Sequence, residues 1–131
     1  MALRNGSRFA VSMHDVFGYG CALTPGSITK AMDFDEKTRA RNPAMDKLTG
    51  KPVWQCRVND MDPELDGRSR ETVVKIIADL EPKPPTGQPF EAVEFEGLTV
   101  TPYVTDKGRM AYSLRATGIK PARPAAGKDQ G

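Results

Sequence analysis

A chain of 131 residues that is 38% hydrophobic and 27% charged carries enough apolar side chains for one buried core, and too many for a disordered segment. A formal net charge of +2 sets up no molecule-wide positive field, so any attraction for nucleic acid has to come from a local patch. Two cysteines outside any C-x-x-C pair speak against zinc and thioredoxin-type sites, and no apolar run reaches the roughly 18 residues of a membrane-spanning helix.

Eleven prolines and twelve glycines predict many turns and few long helices. Cys21 and Cys56 read as two reduced thiols rather than one disulfide, and Met1–Arg8 lacks the apolar core of a signal peptide behind it, so the cytoplasm is the expected compartment. Arg8 to Met13 alternates weakly. Phe17-Gly-Tyr-Gly-Cys-Ala-Leu23 reads either as a strand or as an irregular glycine-rich loop, and it lacks the third glycine of a dinucleotide fingerprint. Ser27 to Phe34 reads as a strand containing Ile28, Ala31 and Phe34. The charged stretch from Asp35 to Lys47, interrupted at Asn42-Pro43, reads mainly as a long connection.

Gly50-Lys-Pro-Val-Trp-Gln-Cys-Arg-Val58 follows a Thr49-Gly50 turn and reads as a strand, with Trp54, Cys56 and Val58 on one face and Val53, Gln55 and Arg57 on the other. Asn59 to Arg70 is a polar loop. Glu71 to Leu80 is dense in β-branched residues and reads as a strand, with a helix as the rival. Glu81-Pro-Lys-Pro-Pro-Thr-Gly-Gln-Pro89 has too few backbone donors for a helix or a central strand and reads as an extended connector.

The stretch Phe95 to Ile119 predicts a closing hairpin. Leu98, Val100 and Pro102 point one way and Thr99, Thr101 and Tyr103 the other. Beyond the Thr105-Asp-Lys-Gly108 turn, Met110, Tyr112, Leu114 and Ala116 share one face, with Tyr112 assigned to the core. Arg109, Ser113, Arg115 and Thr117 share the opposite one. Residues 1–120 read as a single domain and 121–131 as a flexible, low-complexity tail. Strands near 30, 55 and 75, a connector and a final hairpin predict an all-β, helix-poor fold. The expected form is a five-stranded Greek-key barrel of the OB (oligonucleotide/oligosaccharide-binding) type, with a β-sandwich as the competitor.

Arg57, Lys75, Arg109 and Arg115 read as mid-strand cations, and beside Tyr103 they predict a groove that tracks phosphates and stacks bases. Lys107 adds charge at the turn, with Lys51, Arg68 and Arg70 in other loops. Trp54 either stacks on a base or packs in the core beside Cys56 and Val58. A calcium loop starting at Asp62 fails, because it puts Pro63 second and Val73 twelfth, where a bidentate glutamate belongs. His14 is the only histidine and serves no nucleophile, and no phosphate loop or nucleophile elbow is present. No catalysis, metal or cofactor is expected.

Thr49-Gly-Lys-Pro-Val-Trp-Gln-Cys-Arg-Val58, Asp60-Met-Asp62-Pro, Val73-Val-Lys-Ile-Ile-Ala78, Pro89-Phe, Val93-Glu-Phe-Glu-Gly-Leu-Thr-Val-Thr-Pro-Tyr-Val104 and Gly108-Arg-Met-Ala-Tyr-Ser-Leu-Arg-Ala116 together resemble a family of small actinobacterial proteins. These are the plasmid replication, integration and excision activators carried by integrative conjugative elements. The resemblance spans about residues 25 to 120. It implies a role in switching an integrated element toward excision and replication, and supplies no set of binding residues. The closing hairpin is also similar in form to that of the OB-fold single-stranded-DNA-binding proteins of filamentous phages. Two functions follow as expectations: binding of single-stranded DNA, or regulation through an element-encoded recombinase, replication initiator or repressor. A sequence-specific duplex binder is a weaker third, because no helix-turn-helix pattern is evident. Exposed edge strands predict a homodimer.

Overall fold

The computed structural model describes residues 8–35, 40–46, 48–66 and 70–122. Within them the chain is all-β and helix-poor. The one α-helix described with its caps, α1 (Met13–Val16), is a single turn. A reciprocal cap holds it: the Asp15 amide donates to Ser12 Oγ and the Ser12 amide donates to Asp15 Oδ2.

β6 (Val53–Asp60) and β7 (Glu71–Ile77) form an antiparallel pair at the centre, in register from Val53 opposite Ile77 to Asn59 opposite Glu71. The alternation expected over 53–58 holds, and the strand expected over 71–80 forms as far as Ile77, which overturns its helical rival. Cys56, Val58, Val74 and Ile76 are fully buried on one face. On the outer edge of β6 lie β2 (Cys21–Leu23) and β3 (Thr29–Lys30). Between these two the chain bulges through Pro25-Gly26. There the Ser27 hydroxyl donates to the Arg57 carbonyl and accepts from the Arg57 amide, at 3.2 and 3.0 Å, replacing the ladder bonds that the bulge interrupts.

β8 (Ala92–Glu96) and β9 (Thr99–Val104) are separated only by Gly97-Leu98, and β10 (Met110–Ala116) and β11 (Gly118–Pro121) only by Thr117. They form one long hairpin bent at this corner, with β8 paired to β11 and β9 to β10. Its two halves go to different neighbours: β8 pairs with β2, and β10 runs parallel to β7. The hydrogen-bonded order is β1-β9-β10-β7-β6-β2-β8-β11, where β1 is Phe9–Ala10 and β3 adds to β6. Because β8 and β9 are consecutive yet stand near opposite ends of that order, the sheet curls around its core.

Gly97 makes the corner possible. Its φ is +60°, and a Cβ there would lie 2.5 Å from Thr117 Oγ1, whose amide and hydroxyl both donate to the Glu96 carbonyl. Inside the curl, Phe17 and Phe95 pack with ring centroids 6.3 Å apart. A second small cluster, Ala31, Ala44, Val53 and Ile77, sits at the root of a hairpin made by β4 (Met32–Asp35) and β5 (Ala40–Pro43).

That hairpin corrects the sequence reading, which treated 35–47 as a connection. Pro43 closes the β5 end of a two-stranded ribbon, where a missing donor costs little. The strand expected over 27–34 is split at Ala31 into β3 and β4. β8 lies mostly ahead of the expected hairpin, although Val93 and Phe95 alternate inward between glutamates. β11 continues to Pro121, one residue past the expected domain limit, and the Ala122 amide donates to the Ala92 carbonyl; residues 123–131 of the expected tail lie outside the described residues, as do Gly67 and Arg68. The connector over 81–89 contains neither helix nor strand, as expected.

Tyr112 is a further correction. It has the parity of Leu114, yet it is 64% exposed, and Met110 is 59% exposed. The tip of the β9–β10 hairpin projects beyond the layer that would cover it. Cys21 and Cys56 are both buried free thiols, and burial pushes each up to about 12, which leaves them protonated and unreactive at neutral pH. No described helix is long and apolar enough to cross a membrane.

Candidate nucleic-acid interface

The side chains opposite the core define a second face across β6, β7, β10 and β9. Register sets their order: Gln55 lies opposite Lys75, Lys75 is paired with Arg115, and Arg115 with Thr99. In neighbouring rows Arg57 faces Val73, Ser113 faces Thr101, and Ala111 faces Tyr103. A hollow of about 430 Å³ opens here, lined by Val73, Lys75, Thr101, Tyr103, Tyr112, Ser113, Leu114 and Arg115. It combines two cations, two exposed tyrosine rings and the hydroxyls of Thr101 and Ser113, a mixture suited to phosphates and flat bases.

The expected site residues separate into four groups. Lys75, Tyr103 and Arg115 come together in the hollow. Arg57 is on the same face, but its Nε donates to Glu71 Oε2 at 3.2 Å, in a pair half exposed on both sides. That pair offsets its charge while adding at most about 1 kcal/mol of stability. Lys107 and Arg109 sit at the hairpin tip. There the Thr105 amide donates to the Arg109 carbonyl and Gly108 takes a φ of +78°. Arg109 is therefore a turn residue and not a mid-strand one. Its turn bonds to Thr105 hold it just before β10 begins.

Trp54 stands apart from all of these. It is paired with Ile76, on the core face, and its indole Nε1 donates to the Ala78 carbonyl at 3.0 Å. The Lys30 ammonium lies 5.3 Å from the ring centroid. This geometry gives Trp54 a packing role and keeps it off the face that carries Lys75. The acidic loop that invited a calcium reading makes local turns instead, with Asp60 and Asp62 accepting from the amides of Asp62 and Glu64.

Arg115 is the most constrained of the cations. Its Nη1 donates to Ser113 Oγ at 3.3 Å, and its Nε is buried without an acceptor. Burial lowers its pKa, the charge of Arg8 lowers it further, and Asp46 opposes both. The guanidinium stays charged at neutral pH.

Arg8 and Asp46 were not legible as a pair, since 38 positions separate them and no motif links them. Asp46 is buried and accepts from both terminal nitrogens of Arg8, from the Thr49 amide and from the Thr49 hydroxyl. Burial pushes its carboxyl up, but the bonds from Arg8 and Thr49 outweigh that and leave its pKa below the ordinary 3.8. A depressed folded pKa contributes stability above the unfolded value, and that stability is lost as pH falls through the folded value. Asp46→Ala is thus expected to destabilise the protein by about 2–3 kcal/mol at pH 7, somewhat under the value for a fully buried pair because Arg8 reaches solvent. The gap to wild type should shrink below pH 3.8. Urea unfolding at pH 7 and pH 3 measures both, and a gap that is constant with pH contradicts the assignment.

No protein-family model matches the chain, and comparison with curated proteins and with solved structures gives no match.

Proposed function

We propose that this chain is an OB-type barrel that binds single-stranded DNA through the β6–β7–β10–β9 face and assists excision, replication or transfer of an integrative mobile element. The five-strand reading takes β2–β3 as the first strand, then β6, β7, β8–β9 and β10–β11. Their neighbours then run first–second–third–fifth–fourth–first, with the third and fifth parallel. That is the order an OB barrel requires, with its oligonucleotide path across the second and third strands.

The observation that carries the DNA reading is the hollow in which Lys75 and Arg115 stand beside Tyr103 and Tyr112. The mobile-element context rests on the family resemblance of the Trp54 strand and the closing hairpin. In this reading the protein acts in the cytoplasm without catalysis of its own.

Fluorescence anisotropy with an oligothymidine tests it. With Lys75, Lys107, Arg109 and Arg115 each neutralising a phosphate, affinity should fall about 50-fold between 50 and 200 mM salt, from a slope of about −0.7 per contact on single strands. A dissociation constant weaker than about 100 μM at the lower salt removes the reading.

A second reading has its own observation. Val104, Met110 and Tyr112 are 50%, 59% and 64% exposed at the hairpin tip, an apolar surface suited to a protein partner such as a recombinase, replication initiator or repressor. Co-purification with element-encoded proteins that survives nuclease treatment favours this second reading.

A further inference from the structure

Beside the face just described, a separate cavity of about 330 Å³ lies where the turn before β6, the end of β7 and the bent corner of the long hairpin meet. Arg8, Lys51 and Arg115 line it, with Thr49 and Asp79. Of these, only Arg115 also borders the hollow that holds Tyr103.

Charge in this cavity is not balanced from within. Asp46, behind Arg8, accepts from Arg8 and Thr49, while the bond Arg115 makes goes to Ser113 and not to Asp46. Among the described residues Asp79 pairs with Lys51, at 3.8 Å, with the lysine half exposed and the carboxylate largely so. Three cations thus face two carboxylates. The two guanidinium groups are close enough for the charge of one to act on the other. A buried cationic donor, Arg115 Nε, lacks an acceptor among the described residues. Buried polar groups in folded proteins are almost always satisfied, and a charged donor is among the costliest to leave unmade.

We propose that this cavity is a phosphoryl-binding site, in which Arg115 and Arg8 offer guanidinium donors and Lys51 a mobile point charge to one phosphoryl group. Phosphoryl chemistry fits better than a carboxylate, because three cations around one cavity match a group with three peripheral oxygens and up to two charges. The group belongs either to a free phosphorylated small molecule or to the terminal phosphate of a nucleic-acid strand. Arg115, shared between the cavity and the hollow, would place such a terminus next to the proposed strand path.

The test is a titration of the ¹⁵N-labelled protein with inorganic pyrophosphate at constant ionic strength, following backbone amides and the arginine Nε–Hε signals. The expected result is a saturable shift of the Arg115 Nε–Hε signal that sodium chloride does not reproduce. Lys51→Met, an exposed substitution, should raise the half-saturating concentration about fivefold or more, and Arg115→Lys, which keeps charge but loses the fork, should do the same. A larger shift of these signals with 5′-phosphorylated than with 5′-hydroxyl oligothymidine assigns the group to a strand end. Equal shifts with the two oligonucleotides, alongside pyrophosphate binding, assign it to a free ligand. The proposal is overturned by the absence of a saturable shift, by an equal response to chloride, or by a Lys51→Met protein that binds pyrophosphate like wild type. Lys51 does not border the Tyr103 hollow, so failure here leaves the oligothymidine result standing, and the reverse also holds.

Discussion

Gly97→Val is expected to destabilise the fold by about 2–4 kcal/mol, measured as a shift in the urea midpoint at an unchanged slope. Two costs combine at this position. Its φ of +60° is strained for a residue with a Cβ, and more so for a β-branched one. The new Cβ would also meet Thr117 Oγ1 at 2.5 Å and Thr117 Cβ at 3.3 Å. Neither atom can easily yield, because the Thr117 amide and hydroxyl both hold the Glu96 carbonyl across the corner. Gly118→Ala is the matched control. Its Cβ would meet Glu96 Oε1 at 2.6 Å, but that atom is the end of a flexible chain, and φ there is not positive. A change under about 1 kcal/mol is expected for it. A Gly97→Val protein as stable as wild type would falsify the view that this corner is sterically set.

The second large effect is on binding. Tyr103→Ala should weaken oligothymidine affinity by about tenfold at 50 mM salt, within the ~1–3 kcal/mol of a lost base-stacking ring. Lys75→Glu removes a phosphate contact and places a carboxylate beside Arg115, and combined with Tyr103→Ala the loss should reach about 100-fold. Tyr103 is 44% exposed and Lys75 is only partly covered, so the thermal midpoint should move little in either variant. Trp54→Leu supplies the contrast: stability should drop with the loss of the Ala78 bond, while affinity stays within about twofold. If Trp54→Leu weakens binding as much as Tyr103→Ala does, the strand lies on another face.

These experiments divide along a line already visible between chain and fold. The alternation in Val53–Val58 and Leu98–Leu114 was readable because period-2 patterning is local and its two faces differ in polarity, and Glu71–Ile77 was readable as a strand from its β-branched content. The alternation correctly put Cys56, Val58 and Leu114 inside and Arg57 and Tyr103 outside, with Arg115 on the outer face but partly covered. The same pattern misassigned Tyr112, since parity tells which side of a strand a residue takes and not whether anything covers that side. The β4–β5 hairpin escaped notice because its strands are short and polar. α1 escaped because one capped turn leaves no periodicity to detect.

The sequence by itself determined an all-β chain, its principal strands, and the inward or outward sense of most side chains along them, because those depend on neighbours two positions away. Tertiary structure alone decided which strands touch: Lys75 beside Arg115 through a parallel pairing, and Arg8 against Asp46 across 38 positions. It also decided that Trp54 and Tyr103 part company while Arg115 stands between two cavities. The physical reason is that pairing and register are selected by burying a whole sheet at once, and no short window of residues contains that sum.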